Sequence, residues 1–168
     1  MVDIDPMNCE IARSNAKENG LCVDVYEGDF LTLPTGDIFD LIVSNPPYYP
    51  ANTTQSENPH KACSRYENFL PLEELFSQVK KQLSPQGEFV MCHHPYALSR
   101  ILSDRSLKAT HLQFVHPTAQ KEASLVLVRL KKGSNSPCHI LPPLIAMDEG
   151  KPTLQAKAIF ESYPTQSA

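Results

Sequence analysis

The sequence predicts an α/β fold in which strands alternate with helices and the sheet is parallel except at one edge, where a C-terminal antiparallel hairpin closes it. Three observations carry this expectation. Apolar runs of strand length at residues 39–44 and 88–92 lie on either side of a segment with helical periodicity. In that segment, residues 71–83, Leu72, Leu75, Phe76, Val79 and Leu83 recur at three-to-four spacing. Finally, only seven residues separate the strand candidates 109–115 and 123–130. That is too few for a parallel crossover, so the pair must be antiparallel.

The elements follow in order. Asp5-Pro6 reads as an N-cap followed by proline at the first helical position. The helix it opens runs to about Asn19, with Met7, Ile11, Ala12 and Ala16 on its apolar face and Gly20 as its stop. Residues 21–26 suit a strand, ended by Gly28-Asp29-Phe30. The apolar centre of 39–44 suits a buried parallel strand, which must stop at Asn45-Pro46-Pro47-Tyr48 because two prolines cannot continue a ladder. Residues 49–68 have no usable period and read as a long mobile loop. After the 71–83 helix, Pro85-Gln86-Gly87 turns the chain into strand 88–92, and a helix over 96–104 leads to the hairpin. Beyond Lys131-Lys132-Gly133 lies a proline-broken tail, 131–168, with a weak strand at 144–147 and a helix at 153–161.

A chain of 168 residues is one domain, and 41% hydrophobic with 20% charged residues is a globular composition. No run reaches the ~18 to 20 apolar residues of a membrane span. The first residues carry neither a basic leader nor an apolar core, so the expectation is a cytoplasmic protein with no membrane association. Five cysteines at 9, 22, 63, 92 and 138 form no CxxC pair, which argues for free thiols and against a zinc site. The net charge of −4 is unevenly spread. Residues 1–60 hold ten acids and two bases, and residues 61–168 nine acids and thirteen bases, with all six histidines at position 60 or beyond. A polyanion could dock on the second half without meeting the first, although an uneven surface is the plainer reading.

In parallel sheets ligands bind beyond the carboxyl ends of the strands. Asp3, Gly28-Asp29-Phe30 and Asn45-Pro46-Pro47-Tyr48 all fall at such ends. The last is the most informative. An exocyclic amine on a base is a poor nucleophile, and accepting hydrogen bonds from its hydrogens accommodates the positive charge that develops on attack. Asn45 offers a side-chain carbonyl and Pro46 a backbone carbonyl fixed by the proline pair. Tyr48 offers a flat face for stacking. The alternative is that Pro46-Pro47 only ends a strand and Tyr48 packs in the core.

Asp40-Leu41-Ile42-Val43-Ser44-Asn45-Pro46-Pro47-Tyr48 resembles motif IV of class I S-adenosylmethionine (SAM) methyltransferases that act on amino groups. Val2-Asp3-Ile4-Asp5-Pro6 resembles the segment whose acid binds the ribose hydroxyls of SAM, and Gly28-Asp29-Phe30 the segment whose acid and ring contact its adenine. The second half, with Leu112-Gln113-Phe114-Val115-His116-Pro117, Lys131-Lys132-Gly133 and Pro142-Pro143-Leu144, is similar to the bacterial enzymes that N6-methylate adenosine 37 of valine tRNA. The resemblance implies a Rossmann-like class I fold, SAM as cofactor, tRNA as partner and no metal. It also implies that Asn45, Pro46 and Tyr48 are catalytic. Asp3, Ile4, Asp29, Phe30 and Asn45 would be cofactor-side residues, and Pro47, Tyr48, Lys61 and Arg65 would face substrate.

Guanine-N2 methylation of rRNA and methylation of protein glutamine share the Asn-Pro-Pro core and stay open, as does a non-catalytic RNA-binding remnant. The family's glycine-rich first motif would lie upstream of Val2. The expectation is therefore the carboxyl-terminal two-thirds of a methyltransferase, lacking the first strand and helix. His93-His94-Pro95 next to Cys92 suggests metal ligation only superficially, since adjacent side chains of a strand point to opposite faces.

Overall fold

The computed structural model describes residues 1–34, 36–49 and 64–161, with the side chain of Phe160 left aside. The chain divides into two compact units. The first comprises Met1–Phe39 and Pro47–Gln82, the second Asp40–Pro46 and Leu83–Ala168. The boundary falls twice near one motif, since Pro46 belongs to the second unit and Pro47 to the first.

In the first unit, β1 (Val2–Asp3) and β2 (Tyr26–Glu27) pair in parallel, with Asp3 opposite Glu27. Helix α1 (Pro6–Glu18) connects them. The cap is the one the sequence predicts: the Asp5 carboxylate accepts from the Met7 amide at 2.9 Å, with Pro6 in the first turn. Gly20, at φ 64°, follows the C-cap Asn19 in a left-handed conformation that favours glycine.

The predicted apolar face of this helix needs correction. Cys9 is its buried residue, while Met7 and Ile11 are exposed. Cys9 lies over the short sheet, its Sγ near the carbonyls of Asp3 and Tyr26 at 3.5 and 3.8 Å. The strand expected over 21–26 shortens to Tyr26–Glu27, since two-residue β1 offers no longer partner. Helix α2 (Leu72–Gln82) buries Leu72, Leu75, Phe76 and Val79, as its periodicity predicts. It packs on the 3-10 turn Phe30–Thr32, and the Gln78 amide donates to the Leu33 carbonyl at 2.9 Å.

The second unit is built on a six-stranded sheet in the order β3–β4–β6–β5–β7, with β8 also on β5. Its strands are β3 (Phe39–Ser44), β4 (Leu83–His93), β5 (Leu107–His116), β6 (Leu125–Lys132), β7 (His139–Ile140) and β8 (Leu144–Ile145). Ser84 Oγ donates to Asp40 near the start of β3 and β4, and Cys92 Sγ meets Asn45 at their ends. Those two links set β3 and β4 running the same way. The predicted hairpin is present: β5 and β6 pair antiparallel from Leu107↔Lys132 to Val115↔Leu125, and β4 pairs antiparallel with β6. β7 and β8 return parallel to β5.

Alternation along β4 and β6 places Phe89, Met91, Val126, Val128 and Leu130 in the core, and in β5 the register shift between Ala109 and His111 lets Leu107 and Leu112 both be buried. Helix α3 (Leu98–Ser103) packs on β5 through the buried Ile101. On the outer face Glu88 pairs with Lys131 at 3.2 Å and Arg129 at 3.6 Å. The tail adds a small antiparallel pair, β9 (Met147–Asp148) with β10 (Lys151–Pro152), and α4 (Leu154–Glu161), which Thr153 caps.

The buried central strand expected at 39–44 is instead an edge. Phe39, Leu41 and Val43 are exposed, Val43 to 68%, because among the described residues β3 ends the sheet order, with β4 as its neighbour on one side. Pro85-Gln86-Gly87, expected as a turn, lies inside β4. No helix among the described residues is long and apolar enough to cross a membrane.

Candidate active site

In the first unit both candidate acids stand at the carboxyl end of the β1–β2 pair. Asp3 is the last residue of β1, half-buried, and its carbonyl accepts from the Gly28 amide at 2.9 Å. Its carboxylate is held in place: Oδ1 accepts from the Asp5 amide at 2.8 Å and Oδ2 from Asn8 at 3.2 Å. Asp29 lies two residues beyond β2 and caps the 3-10 turn, Oδ1 accepting from the Leu31 amide at 2.9 Å. Among the described residues its Oδ2 takes no hydrogen bond, leaving an acceptor on a half-buried group. Phe30 is half-buried beside it, whereas Ile4 is exposed.

Tyr48 and Tyr49 also belong to this unit, their ring centroids 5.3 Å apart. Tyr49 bridges to Tyr66: its amide donates to the Arg65 carbonyl at 2.7 Å, and its carbonyl accepts from the Glu67 amide at 3.0 Å. The rings of Tyr49 and Tyr66 are 6.4 Å apart, with Tyr66 buried and Tyr49 exposed. Part of the stretch read as a mobile loop is thus tied down, at Tyr49 and at 64–69. Arg65 is exposed, and Lys61 lies outside the described residues, as do 50–63. Half-buried Pro47 precedes Tyr48.

In the second unit Asn45 follows the last residue of β3, exposed, while Pro46 is buried. The Asn45 side-chain oxygen accepts from the Cys92 thiol at 2.9 Å. Cys92 stands near the end of β4 with Leu127 of β6 opposite, and burial pushes its thiol above the ordinary range, a backbone hydrogen bond opposing in part. Its neighbours point elsewhere, as strand alternation requires: His93 is 1% exposed, and His94 caps the turn Pro95–Ala97, accepting from the Tyr96 amide at 3.3 Å. His116, the last residue of β5, has Nδ1 2.8 Å from the Lys121 carbonyl, an acceptor, so that nitrogen carries the proton.

Sequence reasoning missed Cys92 and the Tyr49–Tyr66 bridge. For Cys92 a signal existed, since a strand ending at 92 beside one ending at 44 brings residues just past the two ends together. For Tyr66 none did, because the bridge depends on how the chain returns.

In each unit the candidate residues lie past the carboxyl ends of parallel strands, Asp3 and Asp29 after the β1–β2 pair and Asn45 after β3, which is where α/β enzymes bind nucleotide cofactors. The comparisons narrow it. A family model described as a methyltransferase domain matches residues 1–143, and the chain belongs to that family. It is 34% identical over 97 residues to the tRNA1(Val) (adenine(37)-N6)-methyltransferase of Porphyromonas gingivalis, a match covering 54% of this chain and 38% of that enzyme. The chain thus spans about two fifths of the length of that relative.

Among solved structures, a predicted O-methyltransferase from Agrobacterium tumefaciens superposes with TM-score 0.70 at 17% identity, covering 95% of this chain and 75% of that one. A type I restriction-modification methyltransferase subunit from Streptococcus thermophilus superposes with TM-score 0.61 at 15% identity, over 99% and 42% of the two chains. At these identities the likeness shows the fold, which is that of class I methyltransferases, as the sequence predicts.

Proposed function

We propose that this chain is part of a SAM-dependent methyltransferase that methylates N6 of adenosine in tRNA, at position 37 of valine tRNA. The observation that carries the reading is the placement of Asn45: the first residue past a sheet strand, with its side chain exposed and the following Pro46 buried. That is where an acceptor for an exocyclic amine is needed, and the curated relative with the same reaction in its name supports the substrate class. A single family model that matches residues 1–143, through both units, supports reading them as one methyltransferase domain, to which 144–168 would add a tail.

The residues present fit the nucleoside part of SAM. Asp3 keeps a lone pair on each oxygen after its two protein hydrogen bonds and can accept from ribose hydroxyls. Asp29 Oδ2 can accept from the adenine amine, and Phe30 supplies an apolar wall beside it. SAM, when bound, supplies a methyl group on a sulfonium centre. Asn45 Oδ1 and the Pro46 carbonyl accept from the target amine and stabilise its growing positive charge, while Tyr48 stacks on the base. A dedicated base is unnecessary, since the methylated amine loses its proton to water once the bond has formed.

The test is incubation of the full-length protein with tritiated SAM and separate pools of tRNA, rRNA and protein, followed by nucleoside and amino-acid analysis. Label in N6-methyladenosine from tRNA is the expected result. Label in guanosine or in glutamine would overturn the substrate, and no incorporation in any pool would favour a non-catalytic RNA-binding role.

A further inference from the structure

Asn45 is exposed, and an exposed asparagine side chain ordinarily samples several rotamers and both amide orientations. A group that must accept a hydrogen bond at one point cannot afford either freedom, because turning the amide over presents an NH2 donor where the carbonyl should be. The second unit contains a device against this. Cys92 is fixed by its strand: β4 pairs with β6 from Glu88↔Lys131 to His93↔Val126, and Cys92 lies opposite Leu127. Flanking side chains Met91 and His93 are buried, which locks the backbone pleat and aims Cys92 to the other face. From there its thiol donates to Asn45 Oδ1 at 2.9 Å.

We infer that Cys92 is a positioning residue for methyl transfer, its thiol holding the Asn45 carboxamide in a single orientation so that the second lone pair of Oδ1 is presented to the target amine. This rests on the reading of Asn45 as the amine acceptor. The thiol suits the task because it is a weak donor: it selects the amide orientation without quenching the oxygen as an acceptor. Burial, which raises the thiol's affinity for its proton, keeps the donor present at neutral pH. Reversal of the amide would set its NH2 against sulfur, a weak acceptor, so the two orientations are not equivalent.

The experiment compares Cys92→Ala, Cys92→Ser, Asn45→Ala and the Cys92→Ala/Asn45→Ala pair in the full-length protein, with kcat, KM for SAM and KM for tRNA measured for each. The side-chain amide signals of Asn45 are followed by nitrogen-15 NMR and assigned by their loss in Asn45→Ala. Cys92→Ala is expected to lower kcat roughly three- to ten-fold, the size of one neutral hydrogen bond, with KM for SAM unchanged. Cys92→Ser, which keeps a donor, should stay within about two-fold of the parent, and Cys92→Ala should cost nothing further once Asn45 is alanine. The two amide protons of Asn45 should move toward the shifts of a free asparagine side chain in Cys92→Ala and keep the parent's shifts in Cys92→Ser.

Equal losses in the alanine and serine variants would mean packing, and would overturn the inference. So would a parent-like Cys92→Ala beside an impaired Asn45→Ala, a result that leaves the reading of Asn45 intact. A parent-like Asn45→Ala would overturn that reading itself, and the inference with it.

Discussion

The two units hold their candidate groups by different means. In the second, β4, β5 and β6 interleave Phe89, Met91, Leu107, Leu112, Val126, Val128 and Leu130 into a core closed by Ile101, and Asn45 stands at the end of a strand bound to that sheet. In the first, β1 and β2 have two residues each, and Ile4, Met7, Ile11, Leu21, Val23 and Tyr26 are all exposed. Asp3 is held there by local hydrogen bonding, through an Asx turn and the N-cap at Asp5, whereas Asp29 caps a 3-10 turn that also packs on α2. Asn45 is placed by burial of apolar surface, which is cooperative. Asp3 is placed by individually small polar contacts, so its position is more easily perturbed one contact at a time. The difference predicts where substitutions will be felt as stability and where as binding.

The largest expected effect is on the sheet. Phe89→Ala in residues 1–168 should cost about 3 to 5 kcal/mol, the transfer term plus a cavity that strands on both sides cannot collapse. Met7→Ala, on the exposed face of α1, should stay within about 0.5 kcal/mol. Urea unfolding monitored by circular dichroism reads both, and comparable costs for the two would erase the contrast between the units.

Next is the chemistry. Asn45→Ala in the full-length protein should slow methyl transfer roughly 10²- to 10³-fold, the usual loss for one transition-state acceptor. SAM affinity should barely change. Single-turnover rates with equilibrium binding separate the two quantities, and a loss confined to SAM binding would move Asn45 out of the role proposed for it.

Tyr48→Ala should weaken productive base binding by about 1 to 3 kcal/mol, the worth of one aromatic stack, and Tyr48→Phe should be nearly silent. The structure adds a complication that sharpens the test, because Tyr48 also rests against Tyr49, itself bridged to Tyr66. If Tyr49→Ala matches Tyr48→Ala in KM for tRNA, the aromatic group acts as a unit rather than through one ring.

How far the sequence could be read follows from the same physics. Helix α2 and the hairpin were legible because their patterns answer to one buried face and to a loop of seven residues. Asp5 and Pro6 marked the start of α1 because capping is a matter of neighbours. The 39–44 run was legible as a strand, and the expectation that the first strand is lacking already leaves one of its edges without a partner; Phe39, Leu41 and Val43 are exposed accordingly. The face of α1 failed because the short β1–β2 pair leaves room to cover Cys9 and little else. The motif residues were legible at strand ends. The Cys92–Asn45 contact spans 47 residues and depends on β3 and β4 being neighbours, so it follows from the strand ends only once that pairing is known.

The smallest expected effect tests the first unit's reliance on local contacts. The Asp5 side chain caps the Met7 amide, and its backbone amide donates to Asp3 Oδ1. Asp5→Ala removes the cap and keeps the backbone donor, so the variant should cost about 1 kcal/mol in helix stability, the ordinary worth of an N-cap. Asp5→Asn should cost less, as asparagine caps equally well. Asp3 stays oriented in both, because the hydrogen bond that holds it is to backbone, and SAM affinity measured by isothermal titration of the full-length protein should change less than about three-fold. A ten-fold loss of SAM affinity in Asp5→Ala, restored in Asp5→Asn, would show instead that the cap itself sets the position of Asp3. The binding contribution of this unit would then rest on the helix terminus rather than on the strand end.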